Sequence, residues 1–251
     1  MIQLHHFTLT RAQLDAIPAA ERTLVVLLSH AANELSVLTK LFQFCSRHEG
    51  TDRLLLEARN AQALVMGRLF TGKLYETWQL LQSAFFRTAI SRTYEPLFDA
   101  TAAAALSNLK RYFSRRNLIE NVRNRFAFHY APDQVDEGFA RLIDGDPLDV
   151  YLSETNANTL YTFAESIATR SLFQSIAPDH AQAFDMLIRE TSQAVGWLNE
   201  VIGACLTICL RLHVGGDLYA LGAEVVNVEG APDMRTVTVP YFVETPNEPD
   251  N

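Results

Sequence analysis

Residues 19–47, AAERTLVVLLSHAANELSVLTKLFQFCSR, decide the fold class. Leu24, Leu27, Leu28, Ala31, Leu35, Leu38, Leu41 and Phe42 recur at steps of three and four, the rhythm of a long helix that buries one face. Glu49-Gly50-Thr51-Asp52 interrupts it, with Gly50 as a helix stop and Thr51 or Asp52 as the cap of the next helix. The apolar positions Leu54, Ala58, Ala61, Val65, Leu69, Trp78, Leu81 and Phe85 predict that second helix from Arg53 to about Arg92. Gly67 and Gly72 inside it mark either a bend or the close approach of a neighbour. Tyr94-Glu95-Pro96 ends the run, because the residue before a proline resists helical geometry.

Working outward, a third helical region spans roughly Thr101 to Ala131, is broken near Ser114 and is closed by Pro132. Asp144 to Asn158 reads as a loop with a short strand at Val150-Tyr151-Leu152, and helix resumes from Thr162. Pro178-Asp179 opens a last long helix through about Leu212, stopped by Gly215-Gly216. Beyond Leu221, Val225-Val226-Asn227-Val228, a Gly230/Pro232 turn and Val237 to Val243 alternate as a β-hairpin would. The expected architecture is mainly α: a helical bundle over residues 1–221, then a small C-terminal β-hairpin and a polar tail over residues 222–251.

Composition fits that reading. The chain has 251 residues, 48% of them hydrophobic and 20% charged, which suits a globular protein and excludes a disordered one. Cys45, Cys205 and Cys209 form no CxxC pair; Cys205 and Cys209, four apart in an apolar segment, read as small hydrophobes of a helical core. The first residues lack the basic and apolar regions of a secretory signal, and Asn199-Glu200 interrupts the most apolar window, Ala194 to Leu212. The expected location is the cytoplasm, with no membrane partner.

Total charge is −8, yet Lys110, Arg111, Arg115, Arg116, Arg123 and Arg125 face only Glu120 within one short segment. Tyr112, Phe113, Phe126, Phe128 and Tyr130 are interleaved with them. A concentration of one sign beside aromatics attracts phosphates locally, whatever the total. The alternative is a solvated helix face that happens to be basic.

The same segment contains Asn121-Val122-Arg123-Asn124-Arg125-Phe126-Ala127-Phe128-His129-Tyr130. Arg123, Asn124 and His129, with five residues between the Arg and the His, resemble the motif of the HEPN superfamily (higher eukaryotes and prokaryotes nucleotide-binding). The helical context extends the likeness over about Ala19 to Ile143. The resemblance implies a HEPN-like bundle and a metal-independent endoribonuclease, in many members a toxin with a cognate antitoxin or an antiviral defence factor. It also implies a homodimer whose two motifs face one cleft, RNA as partner, and no cofactor or metal. Other members bind nucleotides or partners without cutting.

The residue types suit that chemistry. RNA carries its own nucleophile, the 2′-hydroxyl, so the protein need only move protons and stabilise charge on the phosphate. His129 is the expected general acid or base, its imidazole titrating near a reference pKa of about 6.5. Arg123 offers fixed donors to phosphate oxygens, and Asn124 orients His129 or the phosphate. Lys110, Arg111, Arg115, Arg116 and Arg125 are the expected substrate-binding residues. At about 100° per residue, a six-residue offset sets Arg123 and His129 about 120° apart on an ideal helix, so they meet only through a helix irregularity or a second copy. Otherwise His129 is a capping or packing residue.

Other features are weaker. His30 and Glu34 form at most half a metal site, and His180 and His213 read as structural. No GxxxxGK[ST], strand-borne GxGxxG or GxSxG motif occurs. The polar stretch Tyr151 to Asn158 reads as a surface loop suited to recognition.

Overall fold

Most helices of this chain start at a side chain that caps them. In the computed structural model, which describes residues 2–47, 50–128, 132–146, 148–216 and 224–244, a first strand β1 (Ile2–His6) precedes a short helix α1 (Arg11–Ala16). Thr10 and Gln13 close a reciprocal capping box on α1. Pro18 then leads into α2 (Ala19–Cys45), and Asp52 caps α3 (Arg53–Ala84) by accepting from the Leu55 N–H at 3.1 Å. Asp99 caps α5 (Ala100–Phe113), after a short α4 (Ala89–Tyr94) and one turn of 3₁₀ helix at Glu95–Leu97. Asn117 caps α6 (Leu118–Val122), which runs into a π-helical turn at Arg123–Ala127. There follow α7 (Pro132–Phe139), the strand pair β2 (Val150–Tyr151) and β3 (Leu160–Tyr161), α8 (Thr162–Ile176), α9 (His180–His213) with Asp179 as cap, and β4 (Glu224–Val228). The fold is mainly α with a small β component.

The core lies between α2, α3, α5, α6, α8 and α9. Leu24, Leu28, Leu35, Leu74, Leu81, Leu109, Ile119, Leu172 and Leu198 are almost fully removed from water within it. Trp78 stacks on Phe113 (4.7 Å between centroids) and Phe85 on Phe98 (6.3 Å), so these aromatics are packing elements. All three cysteines are buried, and burial pushes their thiols upward, that of Cys205 to about 12. They are inert hydrophobes at neutral pH. By length and composition alone α2 and α9 could each cross a membrane, with mean hydropathy of 1.3 and 1.4 in their most apolar windows; here both contribute core residues of the bundle.

The glycines of α3 answer the question the sequence left open. The helix continues through both, and each admits a neighbour. A methyl group on Gly72 would lie 2.5 Å from the Phe128 ring and 2.9 Å from the Ala127 methyl, so the π turn seats against α3 at this point. Gly138 does the same for α7, where a methyl group would come within 2.1 Å of the Ile167 carbonyl oxygen on α8.

Three expectations need correction. The second helix ends at Ala84, not near Arg92, because Thr88 starts a new helix by accepting from the Ser91 N–H at 3.3 Å. The intervening turn carries Arg87 at a φ of 62° and sends Phe86 against Trp78. Pro132 opens α7 as its first residue, a position where its missing N–H costs nothing. The C-terminal hairpin pairs differently: β4 runs antiparallel to β1, with Ile2 opposite Val228 and His6 opposite Glu224. The segment from Val237 to Val243 instead straps across the bundle. Asn158 takes the place of a partner strand there, donating to the Val243 carbonyl at 2.8 Å and accepting from its N–H at 2.9 Å. Tyr241 donates to the Thr159 carbonyl and Gln62 to that of Pro240. The polar stretch around Asn158 thus has an internal task.

Candidate functional site

The basic segment begins as a helix end. Lys110 and Arg111 lie in the last turn of α5, where positive charge complements the helix dipole. Lys110 reaches back to Glu95 at 3.0 Å and lies over the Phe86 ring; Arg111 donates to Asn108 at 2.6 Å. The chain then leaves the helix for Ser114-Arg115-Arg116, and Asn117 starts α6. That connection puts Arg115 and Arg116 on the surface, and neither guanidinium has a partner among the described residues.

Beyond Asn117 the chain is two-sided. Ile119, Val122 and Phe126 point into the core, while Asn117, Asn121, Asn124 and Arg125 line a groove bounded across from them by the end of α8 and the first half of α9. The groove has a volume of about 880 Å³, within the range of small-ligand sites. Asn121 donates to the Ser175 hydroxyl at 3.0 Å, which fixes its amide toward α8. Tyr112 donates to Glu190 at 2.5 Å, closing one wall between α5 and α9. Burial, and then Glu190, hold the Tyr112 hydroxyl well above the usual phenol range, so it acts as a donor and not as a base.

Arg123 does not enter this groove. It turns to α3, where Nε and a terminal nitrogen each lie 2.8 Å from Glu76 Oε1, and its guanidinium lies 5.7 Å from the centroid of the Tyr75 ring. Its remaining terminal nitrogen donates to Asn124 Oδ1 at 3.1 Å, coupling the two motif residues. Tyr75 in turn donates to Glu120. Arg125 lies at the groove's edge and is paired with Glu137 of α7 at 3.0 Å.

Of the residues expected from sequence, Arg115, Arg116, Asn124 and Arg125 therefore share one groove, and Arg123 adjoins it through Asn124. Lys110 and Arg111 belong to the α5 terminus. His129 lies outside the described residues. Residues 123–127 form a π turn, so the helix is irregular where the motif begins; such turns are often found at functional sites. In space the segment is less basic than along the chain, because Glu95, Glu76 and Glu137 each come from another element to meet Lys110, Arg123 and Arg125.

Sequence reading missed the amide row. Asn117, Asn121 and Asn124 stand at i, i+4 and i+7, a spacing that puts them on one side of a helix. Ser175 and Glu190 come from remote positions and left no local signal. His30 and Glu34 are 3.6 Å apart, and Glu34 also meets Lys73 at 2.5 Å, so a lysine ammonium faces that carboxylate. Among the described residues no three side chains of metal-ligating type cluster. His213 bonds Glu21 at 2.7 Å, which also accepts from Tyr94, so this histidine ties the end of α9 to α2.

No family model, curated protein or solved structure matches this chain.

Proposed function

We propose that this chain is a metal-independent endoribonuclease of HEPN type, acting in the cytoplasm as a homodimer, as a toxin with a cognate antitoxin or as a defence factor. The observation that carries the reading is the pairing of Arg123 with Asn124 on a π turn beside a groove where Arg115 and Arg116 form no ion pair and the two lining carboxylates, Glu120 and Glu190, accept from tyrosine hydroxyls. Those two arginines take RNA phosphates from the surface side, and Arg125 adds a third contact at the rim. His129 removes the proton of a 2′-hydroxyl, whose oxygen attacks the adjacent phosphorus. The P–O5′ bond breaks, the departing oxygen takes a proton from the imidazolium of the facing motif, and a 2′,3′-cyclic phosphate remains. Arg123 stabilises the charge on the phosphoryl oxygens, with Glu76 and Tyr75 fixing its direction.

The test is incubation of the purified protein with mixed RNA in EDTA beside the His129→Ala variant. Cleavage by the wild type alone is the expected result; equal cleavage by both, or by neither, overturns the proposal. A second reading is favoured by the Glu76 carboxylate that already compensates Arg123 and by the net charge of −8: a non-catalytic module that binds RNA or a nucleotide. Retained binding without turnover identifies it. Light scattering tests the homodimer, and a fully active monomer refutes it.

A further inference from the structure

The groove differs from a plain phosphate track in having a half-buried amide, Asn121, that is oriented by one hydrogen bond and keeps a donor and its acceptor oxygen free among the described residues. Asn121 donates one of its two amide hydrogens to Ser175 and is thereby oriented. Its second hydrogen and its Oδ1 have no partner among the described residues, and both belong to a side chain that lines the groove. An amide that offers one donor beside one acceptor matches the N7 acceptor and N6 amino donor of adenine; guanine shows two acceptors on that edge and uracil has no N7. Asn117 is not equivalent, since its oxygen caps α6 and its nitrogen serves the Arg115 carbonyl. Asn124 is not equivalent either: it is exposed where Asn121 is half-buried, and one lone pair of its oxygen already accepts from Arg123.

The surroundings suit a base. Ile176 and Met186 line the same groove and supply apolar contact for a ring face, Met being well suited to aromatic partners. Arg115 and Arg116 lie on its other side without carboxylate partners, in position for the attached phosphate. From this juxtaposition we infer that the groove is an adenine-reading subsite, in which Asn121 holds the N6/N7 edge of an adenine nucleotide and Arg115 and Arg116 hold its phosphate. The inference rests on the RNA-binding reading of the groove and not on cleavage. Adenine within a single strand and a free adenine nucleotide share the required chemistry.

The experiment measures binding of fluorescent eight-residue RNAs to the full chain carrying His129→Ala, which removes cleavage from the readout. Oligo-A is expected to bind about tenfold more tightly than oligo-U, and replacing adenine by 7-deazaadenine, which leaves the protein untouched, to remove most of that margin. Asn121→Leu is expected to equalise the homopolymers, while Ser175→Ala, which frees the amide to rotate, lowers the ratio partway. The joint Arg115→Ala, Arg116→Ala change weakens all of them together. Displacement of oligo-A by AMP shows that a free nucleotide suffices; failure of AMP to compete assigns the site to a strand. Equal binding of oligo-A, its 7-deaza analogue and oligo-U overturns the inference, as does an unchanged preference in a folded Asn121→Leu protein. Base-selective binding in a wild-type protein that cleaves nothing removes the nuclease reading alone, and binding unaffected by the double arginine change removes the groove.

Discussion

The α6–π-turn segment presents two sides built from similar residues and used in opposite ways. Toward α3, Arg123 is clamped by Glu76 and Tyr75 while Ala127 and Phe128 seat on Gly72. Toward the groove, Arg115 and Arg116 meet no carboxylate and Asn121 keeps one amide hydrogen and its oxygen without a partner among the described residues. The contrast separates charge already compensated and oriented by a carboxylate from charge left uncompensated at the surface, a distinction that a count of arginines along the chain does not make.

The largest expected effect comes from two buried acidic protons, the Cys205 thiol in the core and the Tyr112 hydroxyl in the groove wall. Burial raises the Cys205 thiol from 9.0 to about 12, and burial followed by Glu190 raises the Tyr112 hydroxyl. A raised folded-state pKa means that the native protein holds the proton more tightly than the unfolded chain. The associated stability is complete below pH 9 and falls as pH rises from about 9 toward 12. Urea melts across that window should show a steadily falling midpoint, and the cysteines should resist iodoacetamide at pH 8 until the fold is opened.

On the α3 side, Gly72→Val forces an isopropyl group into Phe128 and Ala127 and should cost about 1–3 kcal/mol in denaturant unfolding. Arg123→Ala, which removes an ion pair and a cation–π contact that are both partly exposed, should cost about 1 kcal/mol. Arg115→Ala and Arg116→Ala should leave stability within about 0.5 kcal/mol, yet each should reduce the salt slope of RNA binding by about 1. A strong stability loss at Arg115 or Arg116 would erase the contrast. Lys110→Ala should be the mildest change, shifting neither stability nor binding measurably, since its pair with Glu95 lies on the surface.

Much of the bundle was legible because local chemistry writes it. Asp52, Asp179 and the Gly215 stop bound their helices as residue type predicts, and the three-four rhythm of α2 coincides with Leu24, Leu28, Ala31 and Leu35 in the core. The break after Ala84 was written too, in the Thr88 cap, but a continuous apolar rhythm up to Phe85 masked it. What remained hidden depends on distance. Val237 to Val243 has the alternation of a strand, yet Asn158 takes its backbone groups, while β4 finds its partner at Ile2–His6. The same reason explains the site. Arg123 and Arg115 look alike in sequence, and only the arrival of Glu76 from α3 tells them apart.

The β1–β4 ribbon carries one more implication. Its strands join residues more than two hundred positions apart, and none of their side chains is buried. Closing so large a loop brings little apolar reward, so the ribbon assembles after the bundle and opens without disturbing it. Amide hydrogens of Ile2–His6 and Glu224–Val228 should therefore exchange with solvent long before those of α2 or α9, and a protease that clips the ribbon should leave a folded helical body behind.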